Sequence, residues 1–283
     1  MALPPSEANP SEAGPSQAGP SQPPSPDDPI RVLDVTTDDY RRAFELFLAG
    51  SDEKAVTHAH LLALVERLPR RSVFLDIGAG SGATTRYLGS HFERAVAIEP
   101  SKYMRDALRR TYPEAEVLSD PVETAEPGVL ADFALCSHMF YFLPASQYLP
   151  TVRRLLGWVR PGGELVLILQ NPNNECMRLV RHFFDIRFDL SSTANALRTG
   201  HEDLVGSCTL ETLPVRFHAD NLADTLAVAE FMANVPDLAE RPTRPTRKDL
   251  EQYVLKHFAD PDGTGFTITH DHDIVRIRRS TRP

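Results

Sequence analysis

The sequence predicts an α/β fold: a mostly parallel seven-stranded sheet with helices on both faces and an antiparallel closing strand. Three observations predict it. Short apolar runs alternate with helical segments between residues 73 and 169, the pattern of a sheet covered on each side. The runs are apolar at consecutive positions, as strands buried on both faces are. The first run leads directly into Gly78-Ala79-Gly80-Ser81-Gly82, a strand–turn–helix junction of the kind found in nucleotide-binding sheets.

Taken in order, residues 1–29 read as a disordered tail. Nine of the 24 prolines fall there, in a loose Pro-Ser-(Glu/Gln)-Ala repeat with no aromatic residue. Such a segment buries too little apolar surface to offset its ordering entropy. Residues 30–70 read as a helical lid over a substrate. Thr37 or Asp38 caps a helix whose apolar positions Tyr40, Ala43, Phe44, Phe47 and Leu48 keep 3-4 spacing, and Gly50 ends it. Ser51-Asp52-Glu53 restarts a second helix, which Pro69 closes.

The core is expected over residues 71–283, with a substrate-side insertion at about 170–260. Its strands are Val73–Ile77, Ala95–Ile98, Glu116–Leu118, Phe133–Cys136, Glu164–Leu169, Thr212–Phe217 and Asp273–Ile277. Helices are expected from Ala83, over Ser101–Thr111 and Tyr148–Val159, and at 173–185, 221–233 and 247–258.

Composition narrows the function. There are 30 Lys and Arg against 39 Asp and Glu, a net charge of −9, so the field expected of a nucleic-acid or anionic-membrane binder is missing. Cys136, Cys176 and Cys208 show no zinc spacing and fit a reducing compartment. No apolar stretch approaches membrane-spanning length. The chain reads as soluble and cytoplasmic, with a small-molecule substrate and neither nucleic acid nor membrane as partner.

The glycine turn carries the chemistry. Glycines let the backbone turn sharply and let a ligand approach where a Cβ would clash, while the following helix offers free N–H groups. As G-x-G-x-x-A the turn fits a dinucleotide fingerprint; as D-x-G-x-G-x-G it resembles the first motif of class I S-adenosylmethionine (SAM) methyltransferases. Asp76 separates the two, because a carboxylate repels a pyrophosphate and suits the positive amino group of SAM. Glu99, at the end of the second strand, can accept both hydroxyls of a ribose in either reading. Asp120-Pro121-Val122 follows the third strand, where adenine would lie.

With these motifs in order, the sequence resembles class I SAM-dependent methyltransferases and their Rossmann-like fold. Arg160-Pro161-Gly162-Gly163 resembles that family's turn before the fifth strand. Within the family it resembles the histamine N-methyltransferase-like subgroup, through Tyr40-x3-Phe44-x2-Phe47-Leu48-x2-Ser51-x-Glu53, Glu99-Pro100-Ser101, and Asp132-Phe133 leading into Met139-x-Tyr141. The resemblance implies SAM as cofactor, held by Asp76, Gly78, Ala79, Gly80, Gly82, Glu99, Pro100, Ser101, Met104, Asp120, Pro121, Val122 and Ser137. It also implies an acceptor held by Tyr40, Phe44, Phe47, Glu53, His138 and Tyr141. Where the subgroup has glutamine after the fourth strand, this sequence has His138, which can act as a base at neutral pH.

The expected reaction is methyl transfer to the nitrogen of an amine or amino-acid-like metabolite, with His138 and Glu53 as its catalytic residues. An oxygen or carbon acceptor, or a SAM- or dinucleotide-binding protein without turnover, are the alternatives. Structural roles stand beside these: core packing for Phe44 and Phe47, a helix-dipole partner for Glu53, a hydrogen-bonded histidine at position 138. No metal is expected. His270-Asp271-His272-Asp273 reads as the polar end of an alternating strand.

Overall fold

The computed structural model describes residues 25–34, 36–201 and 203–282. Most of the expected tail, residues 1–24, lies outside these. Its last part does not behave as a tail: the amides of Arg247 and Lys248 donate to the carbonyls of Asp28 and Pro26, each at 2.9 Å.

The two N-terminal helices are α1 (Asp38–Gly50) and α2 (Glu53–Glu66). Thr37 caps α1 by accepting from the Tyr40 amide. Gly50 closes it because a Cβ there would run into the Phe217 ring and the His218 carbonyl. The sheet then builds as β1 (Val73–Ile77), β2 (Arg94–Ile98), β3 (Glu116–Leu118), β4 (Ala131–Ser137), β5 (Val159–Gln170) and β6 (Val205–Leu213), with β9 (His272–Arg279) completing it. The order is β3-β2-β1-β4-β5-β9-β6. All strands run parallel except β9, which lies antiparallel between β5 and β6.

Helices α3 (Ala83–Gly89), α4 (Lys102–Thr111), α5 (Tyr148–Gly157), α6 (Glu175–Phe184), α7 (Ser191–Gly200), α8 (Leu222–Met232) and α9 (Arg247–His257) complete the layers. Alternate strand residues feed two cores, as the two-residue period of a strand requires. Phe74, Phe133, Val166 and Ile274 pack under α2 and α3, with Leu61, Leu64 and Leu88. Leu75, Ile77, Ala134 and Leu167 pack on the other face.

Three details differ from the sequence reading. The strand expected at Thr212–Phe217 is two strands. Pro214 has no N–H to extend the ladder, so β6 ends at Leu213 and the chain turns into β7 (Arg216–Ala219), which pairs with β8 (Phe266–Thr269) in a separate two-stranded sheet. Helix α7, low in large apolar side chains, was not expected at all. The Pro161-Gly162-Gly163 segment is a bulge inside β5: Ala131 pairs with Val159 and Phe133 with Glu164.

The N-terminal segment is fastened by a buried carboxylate. Glu230 on α8 is 2% exposed and accepts from the Arg31 amide at 2.8 Å and from its guanidinium at 2.9 and 2.7 Å. Asp132 does the same for the sheet. Its Oδ2 accepts from the amides of Ser72 and Val73 at 2.8 and 2.9 Å, and its Oδ1 from Arg160 at 2.9 Å. These bonds register the start of β1 against β4. Asp132→Ala leaves two amides and a guanidinium without partners, and is expected to lower unfolding free energy by about 3 kcal/mol in urea titration.

Candidate functional site

The site lies at the carboxyl ends of β1, β2 and β4. Strand order reverses between β1 and β4, so this edge is a topological switch point, where open α/β sheets bind ligands. At the end of β1, the amides of Gly78 and Ala79 both donate to the Ile98 carbonyl, at 2.8 and 3.1 Å. That folds the chain back toward β2. Gly78, Gly80 and Gly82 then adopt left-handed φ of +76°, +56° and +83°, which glycine enters without a Cβ penalty.

The three glycines have different surroundings. A Cβ on Gly82 would lie 2.9 Å from Leu108 Cγ on α4, and one on Gly78 would touch Met139 at 3.4 Å. One on Gly80 would meet nothing within 4 Å. Gly82 is there for helix packing; Gly80 faces open space at the mouth of the crevice.

Glu99 closes the crevice from the β2 side. It is 7% exposed. Its Oε2 accepts from the Gly80 amide and its Oε1 from the Ser101 amide, both at 2.8 Å. Ser101 caps α4 at Met104, so one carboxylate joins the glycine turn to the next helix. Ser137 and His138 follow β4 across the opening. Asp120 and Pro121 are exposed beyond β3, while Val122 is buried in the core.

Asp76 is 3% exposed and accepts from the Thr85 hydroxyl at 2.6 Å. Burial pushes its carboxyl up to about 6, against the lowering effect of Thr85. The residues fit SAM: an uncluttered glycine for close approach, an acid at the ribose position, and a buried acid with no guanidinium to neutralise it. A diphosphate would meet two carboxylates here.

Opposite the crevice, the N-terminal helices bring Tyr40, Phe44 and Phe47 together as a stacked row against Phe231 of α8. Phe47 is buried, stacks on Phe217 and touches the His270 ring at 5.1 Å. Tyr40 and Phe44 are half-buried. The row thus packs α1 onto α8 and β7, and its inner end reaches the site.

His138 has φ of +58°, an uncommon conformation for a residue with a side chain. Its amide is held by the Ile168 carbonyl at 2.9 Å. Its Nδ1 lies 3.2 Å from the Tyr141 hydroxyl, which accepts from the Gln170 amide at 3.0 Å. Burial lowers its pKa to about 4, so the ring is neutral at pH 7. Glu53 opens α2 at 7% exposure. Burial alone would raise its carboxyl, but the facing imidazoles and Lys54, 3.3 Å from Oε1, hold it low, at about 2.

Glu53 and His138, the pair expected from the sequence, have a third neighbour that no local sequence signal marks. His272, at the start of β9, has its ring 4.7 Å from that of His138. Glu53, His138 and His272 each offer a ligand atom within 4.8 Å of the other two. His270 sits 5.8 Å from His272 and bonds Ser51 through Nε2 at 3.0 Å. His272 and Asp273 do begin β9, as expected of a strand end, but both are buried and His272 faces His138. His270 lies in the connection just before β9, and an antiparallel β9 delivers its first residues to the edge where the parallel strands end.

Residues 75–167 match the family described as "Methyltransferase domain". The chain is 33% identical over 116 residues to an uncharacterised methyltransferase of Mycobacterium tuberculosis, covering 40% of this chain and 45% of that protein. It is 30% identical over 132 residues to trans-aconitate 2-methyltransferase of Variovorax paradoxus, covering 46% and 49%. The chain thus spans about half the length of these curated relatives. Among solved structures, the YcgJ protein of Bacillus subtilis superposes with a TM-score of 0.55 at 14% identity, over 79% of this chain and 99% of that one. The fold is the Rossmann-like methyltransferase fold, and the family match is confined to residues 75–167. Among the described residues no helix is long and apolar enough to cross a membrane.

Two predictions follow from the geometry of this edge. Gly80→Ala meets only the backbone cost of φ near +56°, about 1–2 kcal/mol. Gly82→Ala adds the Leu108 clash and is expected to cost at least twice as much in thermal or urea unfolding. Asp76 has a folded pKa near 6 against an ordinary 3.8, so its stability contribution is complete below pH 3.8 and is lost as pH rises through 6. Asp76→Asn keeps a partner for Thr85 without the charge. At pH 7.5 the variant should be more stable than the parent chain by up to about 3 kcal/mol, and the gap should close at pH 4.

Proposed function

We propose that this chain transfers the methyl group of SAM to a small-molecule acceptor bound between the sheet edge and the N-terminal helices. The observation that carries the reading is the open Gly80 facing a Glu99 carboxylate that is already anchored at the ribose position. Bound there, SAM supplies a methyl group activated by its sulfonium, so the chain's own work is alignment and exclusion of water. Asp76, Gly78, Ala79, Gly80, Gly82, Glu99, Pro100, Ser101, Met104 and Ser137 form the cofactor side. Asp120, Pro121 and Val122 flank the adenine end, with Val122 contributing through the core beneath it.

On the acceptor side, Tyr40, Phe44 and Phe47 wall the pocket and Tyr141 orients His138. An amine or amino-acid-like metabolite suits Glu53, whose buried carboxylate calls for a cation. His138, neutral at pH 7, receives the proton that the attacking nitrogen must lose. The N-terminal aromatic motif and Glu99-Pro100-Ser101 support a place near the histamine N-methyltransferase-like subgroup, with His138 setting this chain apart. A second reading, methylation of a carboxylate or hydroxyl oxygen, draws on the relative named for trans-aconitate; the same imidazole would serve it.

SAM at about 100 times its dissociation constant should add about 2.7 kcal/mol to stability, and Glu99→Ala should abolish most of that gain. NAD producing the shift in place of SAM would overturn the proposal. With the purified chain, labelled SAM and a panel of amines, amino acids, carboxylic acids and phenols, product mass identifies the acceptor atom. His138→Ala should then lower turnover by about 100- to 10,000-fold with SAM binding intact.

A further inference from the structure

We infer that Glu53, His138 and His272 form a binding site for one divalent transition-metal ion on the acceptor side of the cleft. The inference rests on reading this cleft as the acceptor site, and it specifies what answers the Glu53 charge.

Three features support it. The first is distance. The three donor atoms lie within 4.8 Å of one another, yet Glu53 pairs with Lys54 and with neither histidine. They are too far apart to bond each other directly and close enough to share one ion. With metal–ligand bonds of about 2.0–2.2 Å, neighbouring ligands sit about 3–3.5 Å apart, so closure requires side-chain shifts of about 1 Å.

The second is an orphan atom. His272 is fully buried. Its Nδ1 lies 3.4 Å from the Thr57 hydroxyl, and its Nε2 has no hydrogen-bond partner. A buried ring nitrogen without a partner carries a desolvation cost, and coordination removes it.

The third is orientation. Metal-bound histidines usually donate their second ring N–H to a fixed oxygen, which sets the tautomer. Both histidines have such an oxygen: Thr57 for His272 and Tyr141 for His138. If each Nδ1 carries the proton, each Nε2 keeps a free lone pair for an ion. The Tyr141 oxygen can accept from His138 and Gln170 together.

Two imidazoles and one carboxylate favour zinc, cobalt, nickel, iron or manganese over magnesium or calcium, which prefer all-oxygen sites. Three protein ligands leave coordination positions open. An acceptor offering a carboxylate or hydroxyl oxygen would fill one, fixing its pose beside the SAM methyl. In that state His138 is a ligand and the ion's charge eases loss of the acceptor proton. Lys54 is the competing cation; its exposed stem lets the ammonium turn to solvent when the ion takes Glu53.

The test uses the full chain, stripped with chelator and titrated with Co²⁺ by calorimetry and visible spectroscopy. One equivalent should bind and produce ligand-field bands. Glu53→Gln and His272→Gln should each weaken that equivalent by about tenfold or more. SAM-induced thermal stabilisation, measured on the same samples, reports that the variants are folded. Failure to bind Co²⁺ or Zn²⁺ overturns the metal site, as does an undiminished equivalent in both variants, which would put the ion elsewhere. Either result leaves the SAM proposal standing, since that depends on the SAM shift alone. Loss of the SAM shift in the parent chain, with Co²⁺ still bound at these residues, would leave the metal site and remove the methyl-transfer reading.

Discussion

The grip of Glu99 on the amides of Gly80 and Ser101 organises this protein. One carboxylate fixes the left-handed turn after β1, holds the start of α4 and lines the crevice between them. These amides would otherwise need water or a ligand, since the glycine turn and the helix start leave them outside any regular ladder. The surrounding sheet presents that carboxylate at the reversal of strand order. The protein's own carboxylate thus orders the glycine turn.

The opposite side of the cleft is assembled differently. Its acidic and imidazole groups come from α2, from the segment after β4 and from the start of β9, elements far apart in the chain. They meet because Phe47 seats α1 against Phe217 of β7 and Phe231 of α8, while Leu61 and Leu64 seat α2 on the main sheet. The Arg31–Glu230 pair secures the segment leading into α1 from the far side. Substitutions in this aromatic row would thus disturb the site through the seating of α1 as much as through direct contact.

The cofactor half was legible in the sequence because its signals are local. A glycine turn, an acid one strand later and a Pro-Gly-Gly bulge each sit within a few residues of the backbone feature they create. Glu53 and His138 were also visible, as an acid at a helix start and a histidine after a buried strand. His272 was not, since its role depends on β9 running antiparallel beside β5, which places Gln170 opposite it. Nothing adjacent to position 272 encodes that pairing. The split at Pro214 was readable in principle, because a residue without an N–H cannot continue a central ladder. Helix α7 was hidden by its small, polar composition.

The position of β9 has one further consequence. It pairs on both sides, with β5 and with β6, and both precede it in the chain. During folding these two must wait for a late arrival to slot between them, while the first four strands can associate without it. Such non-local closure is the slow step expected of a sheet with this connectivity. Because the same strand carries His272, the proposed acceptor side is complete only when the sheet is whole.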